Sequence, residues 1–557
     1  MNGTTKRKKS SEKSALIQDD KIQLNIAAKE ADYTPATPSF SYGTEVRSDR
    51  PVLLSDGLDN RGQAPSPRKE YTVNDAIEEI GIGYLQIMIL AASLIAIMAV
   101  GTQILLITTI KDIIRCEFKL TEDESAFIST SLFIGELFGA SLASKLIDNY
   151  GRRPGLVLIA AWLGFYSLLF VFSPTYGWLI ILRFLIGFGA VGLQVICVVY
   201  LGEMTPARYR VWFILAQIVF YGLGSVYIST VGYFVLEQMG WRWQSVYSLA
   251  PCVMVLMVFW LFPESPRFYA LKGYLKPARA TLKDMADRNN VLLTQGDLIQ
   301  IDTVEIDNRG SIRKLLGDGY ATQTILLNIV WFCAYFCYYG LALSTSRLLK
   351  IPIGGDMPLP NVTDPNDTAI FATPSPVNMY SSGAESMPSN GNCAEGKEDT
   401  CNSNILNSEE YLEFLACSVG DILGGPFLIF LVFMFGRRGG MGVAMLLSGT
   451  CFLSIVAFKS VIDLTAFIFL ARAFTLGVYG TLPLYTVEAY PTTTRSAAMS
   501  MGQFFAKLAG ALTPFVAESL FEKNTTGAII IYMLLSVFGG ALSCLLPETS
   551  GRILKDT

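Results

Sequence analysis

The sequence contains no histidine and little charge. None of its 557 residues is His, and only 16% are Asp, Glu, Lys or Arg, against about a quarter in ordinary soluble proteins. Histidine is the usual proton-transfer residue near neutral pH and the commonest metal ligand. Without it, this chain lacks a residue that most hydrolase active sites and metal sites require. We therefore predict that the chain is not an enzyme and needs no metal or other cofactor. The net charge of −4 is also too mild to indicate a nucleic-acid partner.

Long apolar stretches dominate the chain instead. Hydrophobic residues make up 51% of it, and a membrane-spanning helix needs about 20 mostly apolar residues in a row. Residues 1–80 are polar and hold no apolar run near the start, so we expect no cleaved signal peptide. The sequence predicts an all-α integral membrane protein in the lipid bilayer. Its twelve predicted spans lie at about 84–109, 124–147, 155–173, 178–202, 211–235, 246–262, 322–346, 411–434, 441–458, 464–487, 498–520 and 526–546.

The positions of charges and sequons predict the orientation. If both termini are cytoplasmic, most of the 43 Lys and Arg residues fall in cytoplasmic segments, as the positive-inside rule requires. The long loop at 348–410 then lies outside, and its Cys393 and Cys401 are candidates for a local disulfide in an oxidising compartment. The glycosylation sequons that this orientation also places outside are Asn361, Asn366 and Asn524.

Charged phrases recur along the chain at a nearly constant spacing. An ordered set of such matches indicates a duplicated six-helix unit. Two halves of the same topology are related by an axis along the membrane normal and can rock about a central site. The matched phrases are "EMTPARYR" (203–210) with "EAYPTTTR" (488–495), Gly151-Arg152-Arg153 with Gly436-Arg437-Arg438, "PES" (263–265) with "PET" (547–549), and Gly135-Glu136 with Gly420-Asp421.

Several phrases carry a family resemblance. Those that resemble the major facilitator superfamily, in its sugar-porter-like branch, are "DNYGRR" (148–153), "RFLIGFGAVG" (183–192), "PESPRFYALKG" (263–273) and "PETSGRIL" (547–554). Those that resemble the synaptic vesicle 2-related proteins and their vesicle glycoprotein relatives are "YTVNDAIEEIGIG" (71–83), "WFCAYFCYYGLAL" (331–343) and "EAYPTTTRSAAMSMG" (488–502). The resemblance implies the major facilitator fold, with twelve transmembrane helices in two six-helix repeats and both termini cytoplasmic.

The chain divides into five predicted parts. In the first, "EKSALI" (12–17) and "DRPVLL" (49–54) resemble acidic dileucine signals, which sorting adaptors bind. In the third, the spacing of Ala278, Leu282, Met285 and Ala286 predicts a short amphipathic helix. The parts are a largely disordered cytoplasmic tail at 1–80, a six-helix bundle at 81–262, a cytoplasmic loop at 263–321, a second six-helix bundle at 322–546 and a cytoplasmic tail at 547–557.

The resemblance also implies a cytoplasmic charge network. In such transporters these charges pair at the cytoplasmic ends of the helices and stabilise the outward-facing state. The alternative is that they are solvated loop charges that only set the topology, since exposed ion pairs contribute little. Carried over by position, the network residues are Asp148, Arg152, Arg153, Glu203, Arg210 and Glu264 in the first repeat and Arg437, Arg438, Glu488, Arg495 and Glu548 in the second.

Ionisable residues inside the apolar stretches are costly unless they are paired or hydrated, which makes them candidates for function. Glu136 lies about 18 Å along its helix from the cytoplasmic end, near the membrane midplane, and Asp421 is its counterpart. Either carboxylate could bind a coupling proton or cation, or lie protonated or hydrogen-bonded between packed helices. Three cations, Arg183, Arg472 and Lys507, would suit an anionic or zwitterionic solute unless they pair internally with Glu136 or Asp421.

Two further helices supply candidate solute contacts. The relatives carry acidic residues in the middle of helix one, where this chain has Val100 and Gln103, so Gln103 could hydrogen-bond a solute without adding charge. In helix seven, aromatic faces with hydroxyl groups suit sugars, organic ions or ring-bearing solutes, although packing or an interfacial belt explains them as well. The aromatic residues on that face are Trp331, Tyr335, Tyr338 and Tyr339.

The sequence thus predicts a transporter of a small organic solute, either an organic ion or a sugar-like molecule. It would work by alternating access, with protons or another ion as candidate coupling partners. Two alternatives stay open: a non-transporting vesicle membrane protein that acts as a trafficking or regulatory partner, and a surface receptor that acts through the glycosylated loop. The expected location is the plasma membrane or an intracellular vesicle membrane.

Overall fold

The structure is a computed structural model that describes residues 69–259, 262–293, 296–299, 315, 317, 320–350, 407–457 and 460–549. These residues are almost entirely helical. The sequence predictions for Asn361, Asn366, Cys393, Cys401 and the two sorting signals lie outside them.

The N-terminal half comprises residues 84–259. Strand β1 (Lys69–Tyr71) and helix α1 (Val73–Ile80) precede it, and Thr72 caps α1 by accepting the N–H of Asp75 at 3.2 Å. The helices of this half are α2 (Tyr84–Glu117), α3 (Glu122–Tyr150), α4 (Arg152–Val171), α5 (Tyr176–Met204), α6 (Ala207–Met239), α7 (Trp241–Tyr247) and α8 (Ala250–Phe259).

The segment between the halves contains helices α9 (Pro266–Leu271) and α10 (Leu275–Arg288) and strand β2 (Gly296–Leu298). Helix α10 buries Ala278, Leu282, Met285 and Ala286 along one side. Strand β2 pairs in parallel with β1, which forms a small sheet that the all-helical prediction did not include. Strands of three residues are too short to show the alternation from which a strand is predicted.

The C-terminal half comprises residues 321–545. A π-helical turn, Phe515–Leu520, follows the proline that ends α14. The helices of this half are α11 (Ala321–Leu348), α12 (Ser408–Ala457), α13 (Val461–Ala489), α14 (Thr492–Pro514), α15 (Phe521–Lys523) and α16 (Thr525–Leu545).

Eleven helical segments of the described residues are long and apolar enough to cross a membrane. One of them, α12, has 50 residues and is interrupted at Gly436, whose φ of 76° and ψ of −178° are not helical. The interruption falls between the predicted spans at 411–434 and 441–458.

Some helices extend beyond the predicted spans. Helix α2 continues from the predicted end near 109 to Glu117, through the charged residues Asp112 and Arg115. The prediction stopped there because the apolar run stops. The helix continues because its backbone hydrogen bonds do not depend on apolar side chains, and because these charges have partners on other helices.

Matched glycines bring two pairs of helices close together. A Cβ atom at Gly139 of α3 would lie 2.6 Å from the carbonyl oxygen of Phe188 in α5. In the C-terminal half, a Cβ atom at the matched Gly424 of α12 would lie 2.7 Å from the carbonyl oxygen of Ala473 in α13. No larger residue fits at such a backbone approach, so both halves use glycine in the same way.

The two halves meet along three pairs of helices, with further contacts of α6 with α13 and of α3 with the π-helical turn. Helix α3 packs against α14, α6 packs against α12, and α2 packs against α11. Helices α2 and α11 are the most enclosed, with 78% of their most apolar segment buried, whereas α16 has 39% buried. The interior of the bundle is therefore formed around α2 and α11.

Candidate functional site

The turn between α3 and α4 is organised by Arg152. Its guanidinium donates to both carboxylate oxygens of Glu203, at 2.9 Å from Nε and 2.8 Å from Nη2. Its backbone N–H donates to Oε1 of Glu264 at 2.8 Å. The preceding Gly151 has a φ of 105°. These bonds fix the turn to the end of α5 and to the segment before α9.

The C-terminal half repeats this arrangement. Arg437 donates to the two oxygens of Glu488 at 3.2 Å each, and its backbone N–H donates to Oε1 of Glu548 at 2.8 Å. Gly436 again has a positive φ. No contact named for either turn joins one half to the other. We call the end of the bundle that carries Arg152 and Arg437 the arginine-turn end.

A tyrosine supports each turn and was not among the predicted residues. Tyr200 donates to the carbonyl oxygen of Pro263 at 2.7 Å, and Tyr485 donates to that of Pro547 at 2.6 Å. The two tyrosines are themselves matched between the repeats. Comparing the copies position by position would have identified them.

Some predicted network residues have different partners. Arg210 donates to the carbonyl oxygen of Thr205 at 3.3 Å, and Arg495 donates to that of Tyr490 at the same distance. Asp148 is 70% exposed and lies 3.5 Å from Arg152, so its contribution is small. The backbone N–H groups of Arg153 and Arg438 donate to Glu264 and Glu548 at 3.1 and 3.3 Å.

Glu264 lies outside the membrane-spanning segments. Burial raises its pKa above the ordinary glutamate value, although the N–H groups of Arg152, Arg153 and Ser265 donate to its carboxylate and lower the pKa in part. A raised pKa means that the folded state binds the proton more tightly than the unfolded state. The contribution of Glu264 to stability is therefore largest at low pH and falls as pH rises through the raised pKa.

We expect Gly151→Ala to destabilise the protein by roughly 1–3 kcal/mol, because a residue with a Cβ is strained at this φ. The new Cβ would also crowd the carboxylate of Glu264. Thermal unfolding of the purified protein measures the effect. Gly177→Ala is the matched control, since nothing lies within 4 Å of its Cβ position. Equal unfolding temperatures for the two variants would contradict the prediction.

Two ion pairs lie inside the bundle, and all four of their side chains are buried. The Nζ of Lys507 lies 3.0 Å from Oε2 of Glu136, which joins α14 of one half to α3 of the other. Arg472 pairs with Asp421 inside the C-terminal half, and its Nη2 also donates to Ser225 of α6 at 3.0 Å. The structure therefore shows internal pairing for two of the three predicted cations.

The third cation, Arg183, has no carboxylate partner among the residues the structure describes. Its Nη1 donates to the carbonyl oxygen of Gln103 at 3.0 Å, and its guanidinium lies 4.6 Å from the ring centre of Phe170. The side chain is fully buried.

Tyrosines from both halves meet at the centre of the interface. The ring of Tyr479 on α13 stacks on Tyr335 of α11 at 4.2 Å and on Tyr221 of α6 at 5.6 Å. The hydroxyl groups of Tyr221 and Tyr339 lie 3.2 Å apart across the halves, and Tyr338 contacts Tyr479 at 5.8 Å. The aromatic face predicted for the seventh span, which is α11 in the structure, therefore lies in the interface. Tyr221 and Tyr479 were not predicted.

Two other candidates use their polar atoms within one half. The Nε2 of Gln103 donates to the carbonyl oxygen and Oγ of Ser248 at 2.9 and 3.0 Å. The indole N–H of Trp331 donates to Thr486 at 3.3 Å, and the ring lies 5.5 Å from that of Tyr335. Asn524 is exposed, and its side chain accepts the N–H of Gly527 at 2.8 Å as the cap of α16.

The end opposite the arginine turns holds a second group of charges, which we call the far-end cluster: Asp112, Arg115, Glu122, Arg347, Glu518 and Glu522. The guanidinium of Arg347 on α11 lies 2.5 Å from Glu122 and 3.5 Å from Asp112. Arg115 contacts Glu122 and lies 3.4 Å from Glu522. Most of these contacts cross between the halves.

Glu518 adds hydrogen bonds that join the two halves at the same end of the bundle. It lies in the π-helical turn, and its carboxylate accepts from Ser125 at 2.7 Å and from Ser129 at 2.9 Å, both on α3. Glu518 falls inside the predicted span at 498–520 but near its end, so the depth argument that identified Glu136 applies to it only weakly. The other cluster residues lie near span ends, where charge is ordinary and carries no such signal.

Comparison with known proteins identifies the family that shares this architecture. The family described as "Sugar (and other) transporter" matches residues 86–345. The Danio rerio protein named "Putative transporter SVOPL" is 30% identical over 488 residues, which is 87% of this chain and 90% of that protein. The chain belongs to the sugar transporter family of the major facilitator superfamily. It is accordingly an integral membrane protein of a family of membrane transporters.

Other members of the superfamily show the same likeness. The Xenopus laevis synaptic vesicle 2-related protein is 29% identical over 509 residues, covering 91% of this chain and 86% of that protein. The partially occluded, inward-open structure of the E. coli xylose transporter XylE matches with a TM-score of 0.58 at 17% identity, over 84% of this chain and 100% of that one. At that identity the structural likeness shows the fold alone.

Proposed function

We propose that this family member carries a small organic solute across the membrane by alternating access. The observation that supports it most directly is the central tyrosine cluster, because its rings come from both halves. A solute bound there would touch both halves, and rocking of one half against the other would expose it to each side in turn.

The proposed topology has twelve spans in two repeats of six, with both termini cytoplasmic. It counts α12 as two spans that meet at Gly436, in the position that Gly151 holds between α3 and α4. The matched turns of Arg152 and Arg437 support the repeat. Under this topology the arginine-turn end is cytoplasmic, and the far-end cluster closes the outer side, so the conformation faces inward.

The solute is proposed to be an organic ion or a sugar-like molecule. Stacked phenol rings offer apolar faces and hydroxyl groups together, which suits both classes. The family description and the name of the XylE structures, a xylose transporter, support the sugar-like class.

Proton coupling is proposed to involve Glu136. Its ion pair with Lys507 spans the halves, so any movement that separates α3 from α14 must break it. When the pair separates, the Glu136 carboxylate is left charged in an apolar environment, and protonation would remove that charge. Asp421 is less suited, because Arg472 binds it within one half.

Purified protein screened by thermal shift against sugars, organic cations and organic anions tests the proposal first. A ligand at 100 times its Kd should stabilise the fold by about 2.7 kcal/mol. Uptake of the same ligand into proteoliposomes then tests transport. Folded protein that neither binds nor takes up any solute of a broad panel would overturn the proposal.

We expect Tyr339→Phe and Tyr479→Phe to change the KM of uptake by severalfold. Each removes a hydroxyl group that bonds across the halves, to Tyr221 at 3.2 Å and to Gln194 at 3.3 Å respectively. Each loss should cost stability about 1 kcal/mol. Tyr532→Phe is the control, because its hydroxyl bonds Thr513 inside one half. It should lose similar stability while its KM stays unchanged, and an equal KM change in the control would contradict the prediction.

The second candidate is a vesicle membrane protein that uses the fold without transport. The name of the synaptic vesicle 2-related relatives and the engagement of Gln103 by Ser248 favour it. It predicts no solute-dependent thermal shift and no uptake. The receptor alternative depends on the loop at 348–410, whose residues 351–406 lie outside the described part of the chain.

A further inference from the structure

Arg183 differs from the other two cations, Arg472 and Lys507, that the sequence predicts inside the bundle. Lys507 has Glu136, and Arg472 has Asp421. Arg183 is just as deeply buried, yet its Nε and Nη2 have no hydrogen-bond partner in the part of the chain that the structure describes. An unpaired charge at this position is a feature that the fold must balance.

The chemistry of arginine makes an unpaired buried charge especially costly. A guanidinium stays protonated inside proteins, so it cannot shed its charge as a buried lysine can. The carbonyl oxygen of Gln103 and the ring of Phe170 compensate part of the cost of burial, but both are neutral. A negative charge at the free Nε–Nη2 edge would satisfy both donors and neutralise the site.

A cavity lies beside this side chain, between the two halves. Its polar lining comes from Thr108, Ser129, Arg183 and Tyr339, and the rest is mostly aliphatic. Tyr339 belongs to the C-terminal half and the other three to the N-terminal half. Tyr339 also joins the cavity to the tyrosine cluster. In this conformation the cavity holds about one water-sized group, so it suits a small head group rather than a sugar ring.

The surroundings restrict the charge of the occupant. The hydroxyl of Ser129 donates to Glu518 and that of Thr108 donates to the carbonyl oxygen of Leu105, so Arg183 supplies the free donors. A single cation balances a single negative charge. A dianion such as a phosphate monoester would leave net negative charge buried close to the carboxylate of Glu518.

We propose that Arg183 forms a binding site for one monovalent anion, either the carboxylate of an organic solute or a free chloride ion. Both accept hydrogen bonds from the Nε–Nη2 edge, and a carboxylate can take both donors in parallel. The inference rests on the proposed function in one respect: it makes the transported solute an organic acid if the anion belongs to the solute.

Thermal unfolding of the full chain in detergent tests the site. One arm titrates chloride against isethionate at constant ionic strength. The other arm titrates acetate, lactate and benzoate in isethionate, each beside its uncharged amide. A saturable rise in unfolding temperature with chloride identifies the free ion, and a rise with a monocarboxylate but not its amide identifies a solute head group.

The variants decide whether Arg183 is responsible. Arg183→Gln should weaken the apparent affinity at least tenfold, and Arg183→Lys, which keeps the charge but loses the paired donors, should weaken carboxylates severalfold. Arg242→Gln is the control, since Arg242 is exposed and pairs with Glu117, and it should respond as the parent protein does. If Arg183→Gln does not fold, the Lys variant and the parent titrations still decide.

Each contrary result overturns the site. The site is absent if neither chloride nor any carboxylate shifts the parent protein, or if the shift persists unchanged in Arg183→Gln. Uptake measured on the same ligands separates this inference from the proposed function. Binding at Arg183 without uptake would reject transport but keep the site. Uptake that is unchanged in both Arg183 variants, together with no thermal shift that depends on Arg183, would reject the site but keep transport.

Discussion

Glu136→Gln should lower the free energy of unfolding by about 3 kcal/mol, because it leaves the ammonium group of Lys507 buried without its carboxylate. The two side chains are 0% and 2% exposed, so water cannot replace the lost partner. The Nζ of Lys507 also lies 5.9 Å from the ring centre of Tyr335, which carries no charge. Denaturant or thermal unfolding in detergent gives the measurement.

A double-mutant cycle separates the ion pair from other effects of the substitution. Glu136→Gln with Lys507→Met removes both charges, so it should cost less than Glu136→Gln alone. Asp284→Asn is the matched control, since Asp284 and Arg288 form an ion pair whose side chains are 44% and 46% exposed. That variant should change stability by less than about 0.5 kcal/mol. If Glu136→Gln costs no more than the control, the buried pair does not hold the halves together.

The same substitution should alter the pH dependence of transport. Since the Glu136–Lys507 pair must break when α3 and α14 separate, a glutamine at 136 should leave uptake insensitive to pH over the range in which the parent responds. Asp421→Asn should leave that response in place, because the Asp421–Arg472 pair stays within one half. Uptake that keeps its pH dependence in the Glu136→Gln, Asp421→Asn double variant would reject coupling through either carboxylate.

The sequence identified the ionisable groups inside the apolar stretches but not their pairing. Depth alone selected Glu136, Asp421, Arg472 and Lys507, since each interrupts an apolar run. Which cation meets which carboxylate depends on the packing of helices that are far apart in sequence. Lys507 pairs across the halves, and Arg472 pairs within one half. The sequence was compatible with either kind of pairing for each cation.

The repeated turns were easier to predict than the interface. Arg152 and Arg437 were identifiable because two copies of one motif verify each other in a single chain. Tyr221 and Tyr479 were not, because their helices are apolar on every face and tyrosines in them show no periodic signal. Their role in the tyrosine cluster emerges only when α6 and α13 are packed against α11.

The far-end cluster should control which side of the bundle is open. Arg347 is its central cation: it contacts Glu122 and Asp112 of the other half, and its Nη1 donates to the carbonyl oxygen of Glu518 at 2.9 Å. All three charged side chains are less than a fifth exposed. We expect Arg347→Met to cost the closed arrangement about 2 kcal/mol, since it leaves two carboxylates of one half without this partner.

A loss of that size shifts a two-state equilibrium roughly 30-fold toward the arrangement that is open at the far end. Hydrogen exchange should then accelerate in the segments at 118–121 and 521–525, which border the cluster. Lys350→Met is the matched control, because Lys350 lies just after α11 and its Nζ pairs with Glu410 of its own half at 3.8 Å. Equal acceleration in both variants would show local fraying of α11. Acceleration in Arg347→Met alone, reduced in Arg347→Lys, would show that ion pairs between the halves hold this end closed.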